Sequence, residues 1–218
     1  LSSPTDFEDP LDCKNKVRYD LLSDSEIFER YISESKIQNV DFEDIQHYNW
    51  ALMWFSKSPL RDPIQRSDIE IKTSKDFNER FGILSLTADP LNPIMWKKYA
   101  NNNKGFCVGY DSKLLFDFLG GGSEVIYQDI LPIIKPFEDY FIQHHKLVFY
   151  KETKWSFEKE YRTLKIWDRS VSKYERNIRI TKECIVEVIL GSDIPKEHRF
   201  EIEDFLVTTM SHVQIKYN

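Results

Sequence analysis

Hydrophobic spacing along this chain switches between a helical and a strand-like period without settling into a regular strand-helix-strand repeat. That irregular interleaving constrains the fold more than any single motif. A repeating alternation would build a parallel doubly wound sheet; its absence predicts an α+β domain with a mixed or antiparallel sheet flanked by helices. Ser23-Asp24-Ser25-Glu26 is a capping box, and Ile27, Phe28, Tyr31 and Ile32 then predict a helix ending near Ser35. A second helix is expected over 42–55. Its apolar residues Ile45, Trp50, Leu52, Met53, Trp54 and Phe55 are too many for one narrow stripe, so it should be substantially buried. Asp62-Pro63 is read as the end of that region.

Further on, strands are expected over 81–87, 105–110, 124–128, 160–167, 184–190 and 213–217. Helices are expected over 93–101, over 136–150 and after Pro195, with a turn or short helix at 155–158. The 218 residues are 41% hydrophobic and 30% charged, which fits a single domain over 1–218 with a continuous core rather than a disordered chain. No apolar run approaches the roughly 20 residues of a spanning helix, so no membrane partner is expected. With 36 acidic against 30 basic side chains and a net charge of -6, the broad basic footprint of a duplex-binding protein is absent.

Cys13, Cys107 and Cys184 are far apart and form no CxxC pair, which reads as reduced thiols in a cytoplasmic protein. The chain opens on Leu1 without a signal-peptide pattern, and its true start is expected to lie further upstream. Gly120-Gly121-Gly122-Ser123 reads as a flexible loop, native or an artificial replacement.

The densest polar cluster is Lys151 to Arg162. If the strand begins by Glu158, then Glu158, Glu160 and Arg162 share one face, because side chains repeat every two residues. Two carboxylates beside a guanidinium suit acid/base work or binding of ribose hydroxyls; an exposed charged edge is the plain alternative. Ser85 and Thr87 place hydroxyls on one side of another strand, and Met95, Trp96 and Tyr99 offer either core packing or walls for a planar ring. No phosphate-binding glycine signature, nucleophile elbow or histidine metal motif is present, and no metal site is expected. A weak nuclease reading would use Asp62 with Glu70 and Lys72.

Several strings in combination resemble a known family. They are Asp6-Phe7-Glu8-Asp9-Pro10-Leu11-Asp12-Cys13, Ser85-Leu86-Thr87, Met95-Trp96-Lys97-Lys98-Tyr99, Lys104 to Tyr110, Val125-Ile126-Tyr127, and Lys151, Trp155, Glu158, Glu160, Tyr161 and Arg162. Together they resemble the prokaryotic domain-of-unknown-function family 2971 over nearly the whole chain. That resemblance implies an N-terminal strand ahead of residue 1.

A looser similarity is to ADP-ribosyltransferases, whose series is an arginine on a first strand, a Ser-Thr-Ser strand and a late Glu-x-Glu. It implies NAD as cofactor, with Ser85 and Thr87 orienting the NAD-binding core and Trp96 or Tyr99 stacking the nicotinamide. Glu160 would meet the ribose hydroxyl and an oxocarbenium-like transition state, and Glu158 would position a protein or nucleic-acid acceptor. Leu86 departs from that series, and no arginine here fills its first position. The role implied is a toxin or phage-defence enzyme; a non-catalytic interaction or sensor module is the alternative.

Overall fold

The computed structural model describes residues 1–218, and they form an α+β fold with three small sheets in place of one. The helices are α1 (Asp24–Gln38), α2 (Asp44–Ser56), α3 (Pro63–Arg80), α4 (Pro93–Tyr99), α5 (Ser112–Leu119), α6 (Tyr140–Val148) and α7 (Lys196–Thr209). The strands are β1 (Phe81–Thr87), β2 (Phe106–Tyr110), β3 (Ser123–Glu124), β4 (Ile126–Tyr127), β5 (Tyr150–Lys151), β6 (Glu160–Ile166), β7 (Ile185–Leu190) and β8 (Gln214–Tyr217).

The first sheet has the order β1-β6-β3 and is antiparallel throughout. The second, β2-β7-β8, pairs β2 antiparallel and β8 parallel to β7. The third is the short parallel pair β4-β5. One core, with Phe77, Phe81, Ile83, Ile134 and Val148, lies under the first sheet; a second, with Val188, Leu190, Leu206 and Met210, joins β7 to α7. No helix is long and apolar enough to cross a membrane.

Several expectations are corrected. Asp62-Pro63 does end the α2 region, but it also starts α3: the Asp62 carboxylate accepts from the Ile64 and Gln65 amides, and Pro63 occupies the first helical position. The region expected to be helical from 136 begins at Tyr140, where Asp139 caps it, because Phe137 has a left-handed backbone (φ 67°) that a helix cannot contain. The strand expected over 124–128 divides at Val125. Val125 N–H bonds Glu160 O in the first sheet, whereas Ile126 N–H bonds Phe149 O and leads into the third.

The helix α2 is not substantially buried: Ile45, Tyr48, Leu52, Met53 and Trp54 are exposed. Its main neighbour is α1, and only His47 and Ala51 are buried, with His47 Nδ1 2.9 Å from the Ser35 hydroxyl. The Gly120–Ser123 stretch closes α5 through a left-handed Gly120 (φ 89°) and leads into β3. All three cysteines are unpaired.

Candidate active site

The register of β1 against β6 sets Ser85 opposite Arg162 and Thr87 opposite Glu160. Residues directly opposite on an antiparallel pair project from the same face. Strand β1 therefore delivers its two hydroxyls to the side of the sheet that carries the carboxylate and the guanidinium. Glu158 arrives differently from the reading above. It ends the 3-10 turn Thr153–Glu158, and Lys159, in a left-handed conformation at φ 42°, separates it from β6. That single irregular residue still brings both glutamates to the same ammonium.

The meeting point is Lys151 at the end of β5. Its Nζ lies 2.5 Å from Glu158 Oε2, 3.1 Å from Glu160 Oε2 and 3.0 Å from Asp12 Oδ2. Behind it, Arg162 is fully buried. It grips Glu160 through Nε and Nη2 (2.7 and 3.0 Å), Asp12 through Nη1 and Nη2 (2.8 and 2.7 Å), and donates from Nη1 to Val148 O (2.6 Å). All five guanidinium N–H groups and all three ammonium N–H groups thus have partners within the chain. Tyr99 donates its hydroxyl to Glu158 Oε1 at 2.6 Å, and Tyr127 Oη accepts from Glu160 N–H at 2.9 Å.

Burial opposes charge on Asp12, yet Arg162 and Lys151 outweigh it and hold the carboxyl below its usual range. Burial also opposes the Lys151 ammonium, and Glu160, Asp12 and Glu158 reverse the effect, raising it above an ordinary lysine. Burial, reinforced by Glu158, raises the Tyr99 phenol. Cys13 touches the network, with Arg162 Nη1 3.1 Å from its sulfur, but burial pushes its thiol up and keeps it from serving as a thiolate.

The network forms the floor of a cleft of about 410 Å³ between the first two sheets. Ser85, Thr87, Lys151, Glu158 and Glu160 line it with Phe7, Met95, Trp96, Tyr99, Phe106 and Cys107. That volume and largely apolar lining are those of a small-molecule site. Of the residues singled out from sequence, Glu158, Glu160, Ser85, Thr87, Trp96 and Tyr99 meet here; Arg162 lies beneath the floor and outside the lining.

Their availability differs. Ser85 is exposed and its hydroxyl has no partner in the chain, so it is free for a ligand. The Thr87 hydroxyl donates to Glu158 O at 2.7 Å and accepts from Asp89 N–H, which fixes the turn that presents Glu158. The Trp96 indole is 2% exposed and donates Nε1 to Pro90 O, making it a rigid wall, whereas Tyr99 is 55% exposed. Asn92 caps α4 and donates to Phe157 O at 2.7 Å, tying that helix to the same turn.

No local sequence pattern assigns a role to Asp12, Lys151 or Tyr127. Asp12 lies 150 positions from Arg162, and no local spacing signals that contact. The nuclease set does not assemble: Asp62 caps α3, and Glu70 lies eight residues along the same helix, about 12 Å of axial rise away, paired with Lys16. No protein-family model matches the sequence, and no curated protein and no solved structure matches it.

Proposed function

We propose that this chain belongs to the prokaryotic family 2971 its sequence resembles, and that it is an ADP-ribosyltransferase-like enzyme consuming NAD, in the manner of a toxin or phage-defence effector. The observation that carries this reading is the convergence of Glu158 and Glu160, held by Lys151 and Arg162, on the floor of a cleft whose wall bears the free Ser85 hydroxyl and the Tyr99 ring.

Breaking a nicotinamide-ribose bond moves positive charge onto the ribose as the electron pair leaves with the ring. Glu160 supplies a fixed, dehydrated carboxylate for that charge; Arg162, beneath the floor, and Lys151, in the floor itself, keep it oriented. Glu158 accepts two hydrogen bonds in the chain, from Tyr99 and Lys151. A carboxylate has about four acceptor positions, so it retains room to take the proton of an incoming protein or nucleic-acid acceptor. Ser85 contacts the ribose or amide, and Trp96 and Tyr99 flank the ring.

The second reading, a non-catalytic interaction or sensor module, is favoured by the saturation of both cations within the chain, which is also what a purely structural ion network would require.

Nicotinamide release from NAD tests the proposal. The folded wild type should release nicotinamide, Glu160→Gln should lower the rate by about 100-fold or more, and Ser85→Ala should raise KM more than it lowers kcat. A folded wild type that releases none, alone or with cell-extract acceptors, overturns the enzymatic reading.

A further inference from the structure

Beyond the cleft, strand β6 carries an unfinished sheet edge. Ile83 exchanges both of its backbone hydrogen bonds with Ser2, at 2.9 and 2.8 Å. In an antiparallel pair, opposed residues exchange either both backbone bonds or neither. Ile83 therefore makes none with Leu164, its partner in register, and the Leu164 N–H and C=O point to the other edge of β6. The same alternation turns Glu160, Arg162 and Ile166 to that edge.

There Arg162 pairs with Ser123, and Glu160 O accepts from Val125 N–H. Strand β3 then ends. Continued toward the N-terminus it would cover Leu164 and Ile166, but Gly122, Gly121 and Gly120 turn away, with Gly121 N–H bonded to Phe116 O at 2.7 Å. No side-chain hydrogen bond ends on the Leu164 or Ile166 backbone.

A groove of about 610 Å³ runs along this edge, lined by Thr163, Leu164 and Ile166, the glycines, and Tyr140, Phe141, Ile142 and Phe149 at α6. Phe141 is 81% exposed and Ile142 51%. The one ammonium in the lining, Lys146, is held by both Glu138 oxygens (2.8 Å) and Ile133 O.

We propose that this edge docks an extended peptide strand of a partner protein, added to β6 where β3 leaves it. Three features select that occupant. The open positions are alternating backbone donors and acceptors, which another strand satisfies best. The peptide would continue a ladder the chain itself begins. The walls set Tyr140, Phe141, Ile142, Phe149, Leu164 and Ile166 beside the His144 and His145 rings, and the one ammonium among them is already paired, so uncharged apolar and aromatic side chains fit toward α6.

Amide-resolved NMR of the intact chain tests this. In the free protein the Leu164 amide should exchange with solvent at least tenfold faster than those of Thr163 and Lys165, which bond β1. The peptide acetyl-Val-Thr-Val-Tyr-amide should shift the Leu164 and Ile166 amides saturably, and the same peptide N-methylated at alternate residues should bind at least tenfold more weakly. Ile166→Pro removes only an N–H that faces the groove and should stay folded while losing the peptide. Lys165→Pro removes a ladder bond and should unfold. Phe141→Asp, at an exposed rim position, should weaken binding without lowering stability. Equal protection of Leu164 and its neighbours, equal binding of the two peptides, or no binding at millimolar peptide overturns the proposal. A dimer that Ile166→Pro dissociates would assign the edge to a second copy and overturn it also.

Discussion

Lys159 carries a left-handed backbone (φ 42°) between the two glutamates of the cleft floor, and Cys13 carries another (φ 56°) directly after Asp12. Non-glycine residues avoid this region at a cost of about 1–2 kcal/mol each, and such residues gather where surrounding contacts over-determine the chain. Here both sit beside a member of the ion network. Lys159→Gly should therefore retain stability or gain up to about 1 kcal/mol, whereas Lys159→Val, whose branched Cβ fits this region worse than the unbranched lysine chain, should lose a further ~1 kcal/mol, both read from urea unfolding midpoints. Asp12 is 2% exposed and bonds both cations. Asp12→Asn should cost about 3–5 kcal/mol, the usual loss when one partner of a buried charge pair is removed.

At the scale of elements, the site depends on how three short segments are tied together. Asn92 closes the first turn of α4 by accepting from the Ile94 and Met95 amides, and its amide also holds Phe157 O at the turn that ends in Glu158. Asn92→Asp should keep the cap and lose the second bond, while Asn92→Ala should lose both. The expected losses are about 1 kcal/mol and about 2 kcal/mol, by thermal or chemical denaturation. Between α4 and β2, Asn101, Asn102 and Asn103 all have left-handed backbones, a conformation asparagine tolerates better than most residues. The returning chain at Gly191 packs against this turn so closely that a Cβ there would collide with the Asn103 carbonyl. Gly191→Ala should displace the turn and lower stability by about 1–3 kcal/mol. The helix α3 is hard to find by pattern because the signal that starts it, Asp62-Pro63, also reads as the ending of what precedes it; α5 is only eight residues long and is started by the Asp111 cap directly after β2.

Over the whole molecule, the ion network links the N-terminal loop, the end of β5 and strand β6, and its titration should appear in global stability. Asp12 is held below its ordinary value of 3.8, so the stability it contributes is full above that pH and is lost as pH falls through the lowered value. Lys151 is raised above its ordinary 10.5, so its contribution is full below that pH and is lost as pH rises through the raised value. Unfolding midpoints should be flat between about pH 5 and pH 9 and fall on either side. Asp12→Asn should flatten the acid limb measured against its own plateau.

The amino-acid sequence alone determined the α+β class, the positions of β1, β6, β7 and most helices, and the identity of the polar cluster, because periodicity, caps and prolines act over a few residues. It also supplied the pairing of hydroxyls at Ser85 and Thr87 with carboxylates at Glu158 and Glu160 as candidates for one site. Only the tertiary structure decided that they share a cleft, that Lys151 and Asp12 complete the network, and that Arg162 lies buried behind the floor. It likewise decided that the apolar residues of α2 stay exposed and that the single expected sheet is three. The reason is physical: burial and charge pairing depend on which distant segments come together, and a contact between residues 12 and 162 leaves no periodic trace in the chain between them.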